Sequence, residues 1–362
     1  MIGIDVGEKL IKIVELKDTP GGPVLDKYAI TEVLIKLKDE DYSKAHSRTI
    51  SDALKKHGFQ EKEVVISVLG PRVQIRRLLL PAVPEEKVTE AIKLTAKNFL
   101  AFPIENAVIN YFILEKTDAQ MDVIVFAVEN NFLQRQRSIV EQAGLKCVGV
   151  TLPPLAVLEI IKRSPQISGE ELNALVLIGK RPAFVNLFKN GNVYFTKEIS
   201  VNGDNITENL ASEFNLDFAS AEILKIKYGL PSEDESGTTQ MGISISEIRH
   251  AMKSILKRLG EEISHSFEYY GEHFGGEKVS NIFISGGTSK LKNINKYIGA
   301  QIGVPVKQVD PTAAISFGPE INAEKMPAYL PFLTTSIGLA LNKGEKLNLL
   351  KVSQEEARIG SY

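Results

Sequence analysis

The chain has 362 residues, 43% of them hydrophobic and 24% charged, which excludes a largely disordered protein and leaves room for two or three domains of ~100–200 residues. Lys plus Arg number 43 and Asp plus Glu 45, a net charge of −2, so there is no basic excess of the kind a nucleic-acid binder carries. Cys147 is the single cysteine, which rules out an intramolecular disulfide and a cysteine-rich zinc site. The richest apolar runs, Val123–Val128 and Leu78–Val83, fall short of the ~18 residues of a membrane span. The start, Met1-Ile2-Gly3-Ile4-Asp5, has no basic leader, so no signal peptide is expected. The expected location is cytoplasmic, with any membrane association made through a partner.

Ile2–Leu16 reads as strand, tight turn, strand, with Gly7 supplying the backbone freedom of the turn. Asp18–Pro23 is a second turn and Val24–Ile35 a third strand. Arg48–His57 reads as a helix followed by Gly58, and Glu63–Leu69 as a buried strand. From about Arg72 the texture changes. Gln74–Leu80 is a strand carrying Arg76 and Arg77. Pro84-Glu85-Glu86 has the proline and acidic charge of a first helical turn, and apolar spacing continues from Val88 to Leu100 until Pro103 ends the helix. Asn110–Glu115 and Asp122–Glu129 read as paired strands, and Asn130–Ala143 as a helix stopped by Gly144. This block reads as an inserted unit.

Leu155–Ile161 is a helix and Ser164–Glu171 a polar link. A second strand-turn-strand follows at Ala174–Phe188. Shifted by 172 residues, the start of the chain lays Gly7 on Gly179 and Ile13 on Val185, a faint internal duplication. Asn190-Gly191-Asn192 is a hairpin turn before a strand Val193–Val201 that ends near Gly203. Asp204–Phe214 and Asp217–Tyr228 are helices, and Pro231–Gly242 a mobile surface loop. Glu247–Phe274 is one long amphipathic helix ended by Gly275-Gly276. Ser280–Ser285 is a strand running into Gly286-Gly287-Thr288, a helix spans Lys290–Ile302, and Pro327–Leu341 is the last helix. Leu347–Tyr362 is a polar tail with one apolar cluster.

Three glycine turns each follow an apolar strand: Asp5-Val6-Gly7, Ile178-Gly179-Lys180 and Ser285-Gly286-Gly287-Thr288. Glycine lets backbone amides approach a phosphate closely, and a following helix adds its positive end. Ile2–Gly7 with Lys12 resembles the first phosphate motif of the actin-like ATPase superfamily, and Ile284–Leu291 resembles its adenosine motif. More narrowly, the chain resembles the PilM family, FtsA-like proteins of type IV pilus assembly. Arg76-Arg77-Leu78, Leu80–Glu86, Phe102-Pro103-Ile104-Glu105, Ala143–Lys146, Asn190-Gly191, Phe218–Lys225, Tyr269-Tyr270 and Ser336–Ala340 carry that resemblance, over about Ile2 to Leu350.

The resemblance implies an α/β, actin-like (ribonuclease H-like) two-lobed fold with an FtsA-type subdomain inserted in the first lobe. The expected division is 1–71 for the first-lobe core, completed by 152–170 and 327–345. The insertion takes 72–151, the second lobe 171–326 and the tail 346–362. It also implies an ATP site comprising Asp5, Gly7, Glu8, Lys9, Lys12, Gly179, Lys180, Gly203, Glu222, Lys225, Gly286, Gly287 and Thr288, with Asp5 as the one metal-ligand candidate. The implied partner is the cytoplasmic leader of a PilN-like inner-membrane protein with an Asn-Leu-Leu motif. Assembly motor ATPases and further copies of the chain are expected as additional partners.

The second phosphate turn departs from the superfamily pattern. Leu177 stands where a carboxylate would organise Mg²⁺ and the attacking water, and an apolar side chain cannot serve a hard cation. ATP binding with slow or absent hydrolysis is therefore the expectation, and Mg²⁺ is doubtful. Lys180 and Arg181 are open to two readings, phosphate neutralisers or surface charges. Glu222 and Lys225 are either ribose contacts or an exposed helical pair. Leu347-Asn348-Leu349-Leu350 resembles the PilN leader motif. It is expected either to occupy a leader groove as a placeholder, in its own chain or a neighbour's, or to fray.

The leading expectation is a scaffold or adaptor. An active ATPase or kinase of the same superfamily, and an FtsA-like polymer-forming protein, are the alternatives. The second would need a membrane-binding tail, for which Glu355-Glu356-Ala357-Arg358 is too polar and too short.

Overall fold

The structure, a computed structural model, describes residues 1–34, 41–164, 169–344 and 347–351. The chain divides into two compact units, Met1–Ile167 with Val193–Phe195 and Asp310–Tyr362, and Ser168–Asn192 with Thr196–Val309.

Unit 1 is built on a six-stranded sheet. β1 (Ile2–Val6) and β2 (Leu10–Thr19) form an antiparallel hairpin that β3 (Gly22–Glu32) extends, while β4 (Glu63–Ser67) pairs parallel on the other side of β1. Outside them lie β8 (Lys146–Thr151) beside β4 and β14 (Ser316–Phe317) beside β3. β1 is buried on both faces because it is central; Ile2 and Ile4 are fully buried. Helices α4 (Pro153–Ile161) and α9 (Met326–Asn342) cover the sheet together, and α1 (Tyr42–Lys56) packs against α3 (Asn130–Gln142). The approach of α9 to β1 requires glycine: a Cβ on Gly3 would stand 2.0 Å from the carbonyl oxygen of Ser336.

Between β4 and β8 the chain builds a smaller sheet in the order β5–β7–β6, from β5 (Val73–Pro81), β6 (Ala107–Lys116) and β7 (Gln120–Glu129). Helix α2 (Glu85–Ala96) buries Val88, Ile92 and Ala96 against Leu80, Met121, Val123 and Val125. The expected extension of α2 to Pro103 does not occur. Phe99 and Leu100 keep helical spacing because they pack, with Phe102, on the same core, but they lie beyond the end of α2, and Pro103 precedes a 3₁₀ turn at Ile104–Asn106. Arg77 is no surface charge. Its guanidinium donates to both carboxylate oxygens of Asp122 across β5 and β7, with each side chain 9% exposed.

Unit 2 repeats the architecture. Its sheet runs β11–β10–β9–β12–β13, from β9 (Asn173–Ile178), β10 (Ala183–Lys189), β11 (Asn192–Ile199), β12 (Asn281–Ser285) and β13 (Val306–Gln308). The order matches β3–β2–β1–β4–β8, and the hairpin register matches under the 172-residue shift: Asp5 pairs with Lys12 as Leu177 pairs with Phe184. α5 (Gly203–Phe214) and α6 (Phe218–Tyr228) pack together, and α7 (Ile245–Phe274) contacts α5 and α8 (Ile294–Ile302). The expected Lys290–Ile302 helix is shorter, because its start is a 3₁₀ turn, Gly287–Lys290. α1 begins at Tyr42 rather than Arg48, capped by Asp41. Its first turns bury Ser43, His46 and Ser47, polar residues that hide the periodicity. The 231–242 segment is tied down rather than loose. The Arg249 guanidinium donates to the carbonyls of Pro231, Ser232 and Glu235, and Thr238 bridges to Ser244. Ile35, the centre of the Ser164–Glu171 link and the tail from 352 onward lie outside the described residues.

Candidate functional site

In unit 1 the β1–β2 hairpin brings the first glycine turn together. Lys12 Nζ reaches Asp5 Oδ2 at 2.9 Å, and the two residues face each other in register. Gly7 is needed for space rather than for unusual dihedrals, since its φ is not left-handed and a Cβ would sit 2.5 Å from the Leu10 carbonyl oxygen. Glu8 and Lys9 are exposed at the tip. One participant gave no sequence signal. His46 of α1 is 1% exposed, with Nε2 3.2 Å from the Gly7 carbonyl oxygen, Nδ1 2.8 Å from that of Tyr42, and its ring stacked on Tyr42. A lone histidine without metal spacing is not legible as a turn anchor.

In unit 2 the remaining candidates converge. Gly286, at φ 95°, would drive a Cβ to 2.5 Å from the Ile178 carbonyl oxygen, and a Cβ on Gly203 would stand 2.7 Å from Thr288 Oγ1. The Gly203 amide donates to the Gly179 carbonyl at 3.0 Å, and Thr288 Oγ1 donates to the same oxygen at 3.4 Å. Gly287 opens the adjoining 3₁₀ turn. Backbone of three segments thus lies in mutual contact, a close-packed cradle with no room for a side chain at Gly203 or Gly286.

The cations around this cradle have anions of their own. Arg181 pairs with Asp204 at 2.9 Å and Glu208 at 2.7 Å. Lys180 lies 3.8 Å from Asp204 and over the Phe218 ring. Lys225 is 5% exposed and donates to the Gly203 carbonyl at 2.9 Å and Thr207 Oγ1 at 2.7 Å, while pairing with Glu222 at 2.6 Å. Burial pushes the Lys225 ammonium below its ordinary range against the opposing pull of Glu222. Burial alone would raise Glu222, but hydrogen bonds from Lys225 and Thr207 outweigh it and hold the carboxyl below the usual range. The pair is therefore not an exposed helical couple: Lys225 braces the α5 start, and Glu222 is the half-exposed member.

The donor set does not fit Mg²⁺. Asp5 already faces Lys12, Leu177 is an 8%-exposed core residue in β9, and among the described residues no three His, Cys, Asp or Glu side chains are grouped to hold a metal. The glycines close this region on the chain's own backbone, Gly203 against Gly179 and Gly286 against Ile178.

The tail cluster is docked in unit 1. Leu347 (7% exposed), Asn348 (6%) and Leu349 (1%) are buried, and the Leu349 amide donates to the Val150 carbonyl of β8 at 2.8 Å.

Two matched halves, each a five-stranded core with a glycine turn after its first strand, define the actin-like class of fold. The sequence matches the family described as Type IV pilus assembly protein PilM over residues 3–344, and the chain belongs to that family. The structure is similar to a PilM-PilN type IV pilus biogenesis complex chain at TM-score 0.80 and 22% identity, covering 95% of this chain and 98% of that one. It is also similar to the ethanolamine utilization protein EutJ from Carboxydothermus hydrogenoformans (TM-score 0.52, 15% identity, 94% and 88% covered). MreB 5 of Spiroplasma citri, bound to AMPPNP, follows at TM-score 0.50 and 12% identity, with 95% and 94% covered. A curated relative, the cell division protein FtsA of Neisseria meningitidis serogroup B, is 23% identical over 236 residues, 62% of this chain. The match spans 54% of that relative's length. Among the described residues no helix is long and apolar enough to cross a membrane.

Proposed function

We propose that the protein is a scaffold or adaptor of a type IV pilus, or related secretion, assembly platform. It would bind the Asn-Leu-Leu cytoplasmic leader of a PilN-like inner-membrane protein and sit at the cytoplasmic face of that membrane through it. Motor ATPases of the platform and further copies of the chain are the other partners in this reading. The observation that carries it is family membership across residues 3–344, supported by the fold match to a chain of a PilM-PilN complex.

Nucleotide has a secondary role in this proposal. In this reading the Gly179, Gly203 and Gly286 turns would take the phosphates, but Leu177 supplies no metal ligand, and the neighbouring cations are matched by Asp204, Glu208 and Glu222. ATP binding would be weak and hydrolysis slow or absent, with occupancy biasing leader affinity only if the two nucleotide states differ in it. Titration calorimetry with a synthetic Asn-Leu-Leu leader peptide tests the adaptor reading. Saturable one-to-one binding, lost when the peptide asparagine is replaced by alanine, is expected. Absence of binding both to the native chain and to a chain whose tail has been released from β8 would reject it.

A further inference from the structure

The start of a helix presents backbone N–H groups that have no partner inside the helix, and an anion such as a phosphate is well placed to take them. At α5 these donors are already engaged. The amide of the cap residue Asn202 donates to Asn205 Oδ1 at 3.3 Å, and the Gly203 amide to the Gly179 carbonyl at 3.0 Å. The Asp204 amide is shared between Asn202 Oδ1 and the Lys180 carbonyl, each at 3.1 Å, and the Asn205 amide donates to Asn202 Oδ1 at 3.2 Å. The negative charge that a helix start favours is also present, as Asp204 in the first turn. Asp204 is 7% exposed and accepts from Arg181 Nε at 2.9 Å, while Arg181 Nη2 reaches Glu208 at 2.7 Å.

The buried cation is engaged in the same way. The Lys225 ammonium has three hydrogens, and the Gly203 carbonyl (2.9 Å), Thr207 Oγ1 (2.7 Å) and Glu222 Oε2 (2.6 Å) accept them. Thr207 closes the triangle by donating its hydroxyl to Glu222 Oε2. Lys225 is 5% exposed and Thr207 0%, so a phosphate could reach this ammonium only by stripping a buried charge of its partners.

From this geometry we infer that unit 2 holds the junction of the β9–β10 turn, α5 and α6 closed with its own charges, Asp204 as the anion and Lys225 as the cation, and that its folded state draws no stability from a nucleotide. The inference deepens the nucleotide part of the reading above. Binding is weak there because a phosphate competes with a carboxylate already in place within the same chain. The consequence, that partner capture does not depend on the ATP level, rests on the adaptor reading; the internal closure does not.

Thermal unfolding of the full chain with and without about 2 mM ATP and Mg²⁺ tests it. A change in Tm below about 3 °C is expected, and a larger rise overturns the inference. Lys225→Met and Thr207→Val each remove a member of the buried triangle. Each is expected to lower Tm by about 3 °C or more, with none of the loss restored by ATP. A smaller fall in either folded variant, or restoration by ATP, overturns the inference. If Lys225→Met does not fold, the nearly isosteric Thr207→Val carries the comparison. Hydrogen exchange gives a reading that stability alone would not. The Gly203, Asp204 and Asn205 amides of the native chain should exchange at rates that ATP changes by less than about threefold, and greater slowing would show a ligand taking those donors. ATP-driven stabilisation in a chain that binds the leader peptide would remove this inference and leave the adaptor reading. An ATP-insensitive chain that binds no leader would do the opposite.

Discussion

The glycines of the candidate turns are there for different reasons. Gly7 excludes a side chain because the Leu10 carbonyl stands where a Cβ would go, whereas Gly286 additionally holds a left-handed φ of 95°. Sequence shows that glycine is present and not which need it meets. Cys147 illustrates the converse, a residue whose bland sequence reading is sufficient. It lies in β8 at 7% exposure, and burial pushes its thiol up to about 11. Its folded pKa exceeds that of an unfolded thiol, near ~8.5, so its contribution to stability is full below that value and declines as pH rises toward 11. Native protein at pH 8 should therefore resist iodoacetamide for hours, and denatured protein should label quickly. Mass spectrometry of the Cys147 peptide reads the difference, and rapid native labelling would contradict the buried placement.

Helix α9 shows how an element is placed by what it lacks. Gly338 meets the backbone of α4, where a Cβ would fall 2.0 Å from the Ala156 carbonyl oxygen, while Gly3 of β1 accepts the other side of the helix at Ser336. Helix and sheet backbones cannot separate independently, because α9 touches α4, β1 and β2 together. Gly338→Ala should therefore lower unfolding stability by about 3 kcal/mol, well beyond an ordinary surface change, and denaturant titration measures it. A loss under 1 kcal/mol would mean that α9 can shift freely. The elements that periodicity misplaced share a cause. Phe99 and Leu100 are spaced like helix residues because they face one core, but they lie beyond the end of α2. Ser43, His46 and Ser47 are buried polar residues, so in the first turns of α1 the apolar signature is reduced to Ala45.

For the molecule as a whole, the internal duplication first visible as a faint glycine alignment proves to be a repeated sheet order with identical hairpin register. The repeat is not chemical: Asp5 faces Lys12, while its counterpart Leu177 faces Phe184. Phosphoryl transfer depends on placed charge, so a chain with one carboxylate of the pair should turn over ATP at no more than background in the presence of Mg²⁺. A coupled phosphate-release assay decides it. Robust turnover abolished by Asp5→Ala would establish the active-ATPase alternative.

The amino-acid sequence determined the strand–turn–strand openings of both halves, the long capped helix α7 and the glycine turns, since each rests on local periodicity, capping or turn chemistry. Tertiary structure alone decided which partners the charges took: Arg77 inward to Asp122, Arg181 to Asp204, Lys225 to the carbonyl of Gly203. It also decided where Asn348 went. Nothing local to a tail links it to Val148 and Val150, some 200 residues earlier, because an open strand edge exists only once the sheet has formed.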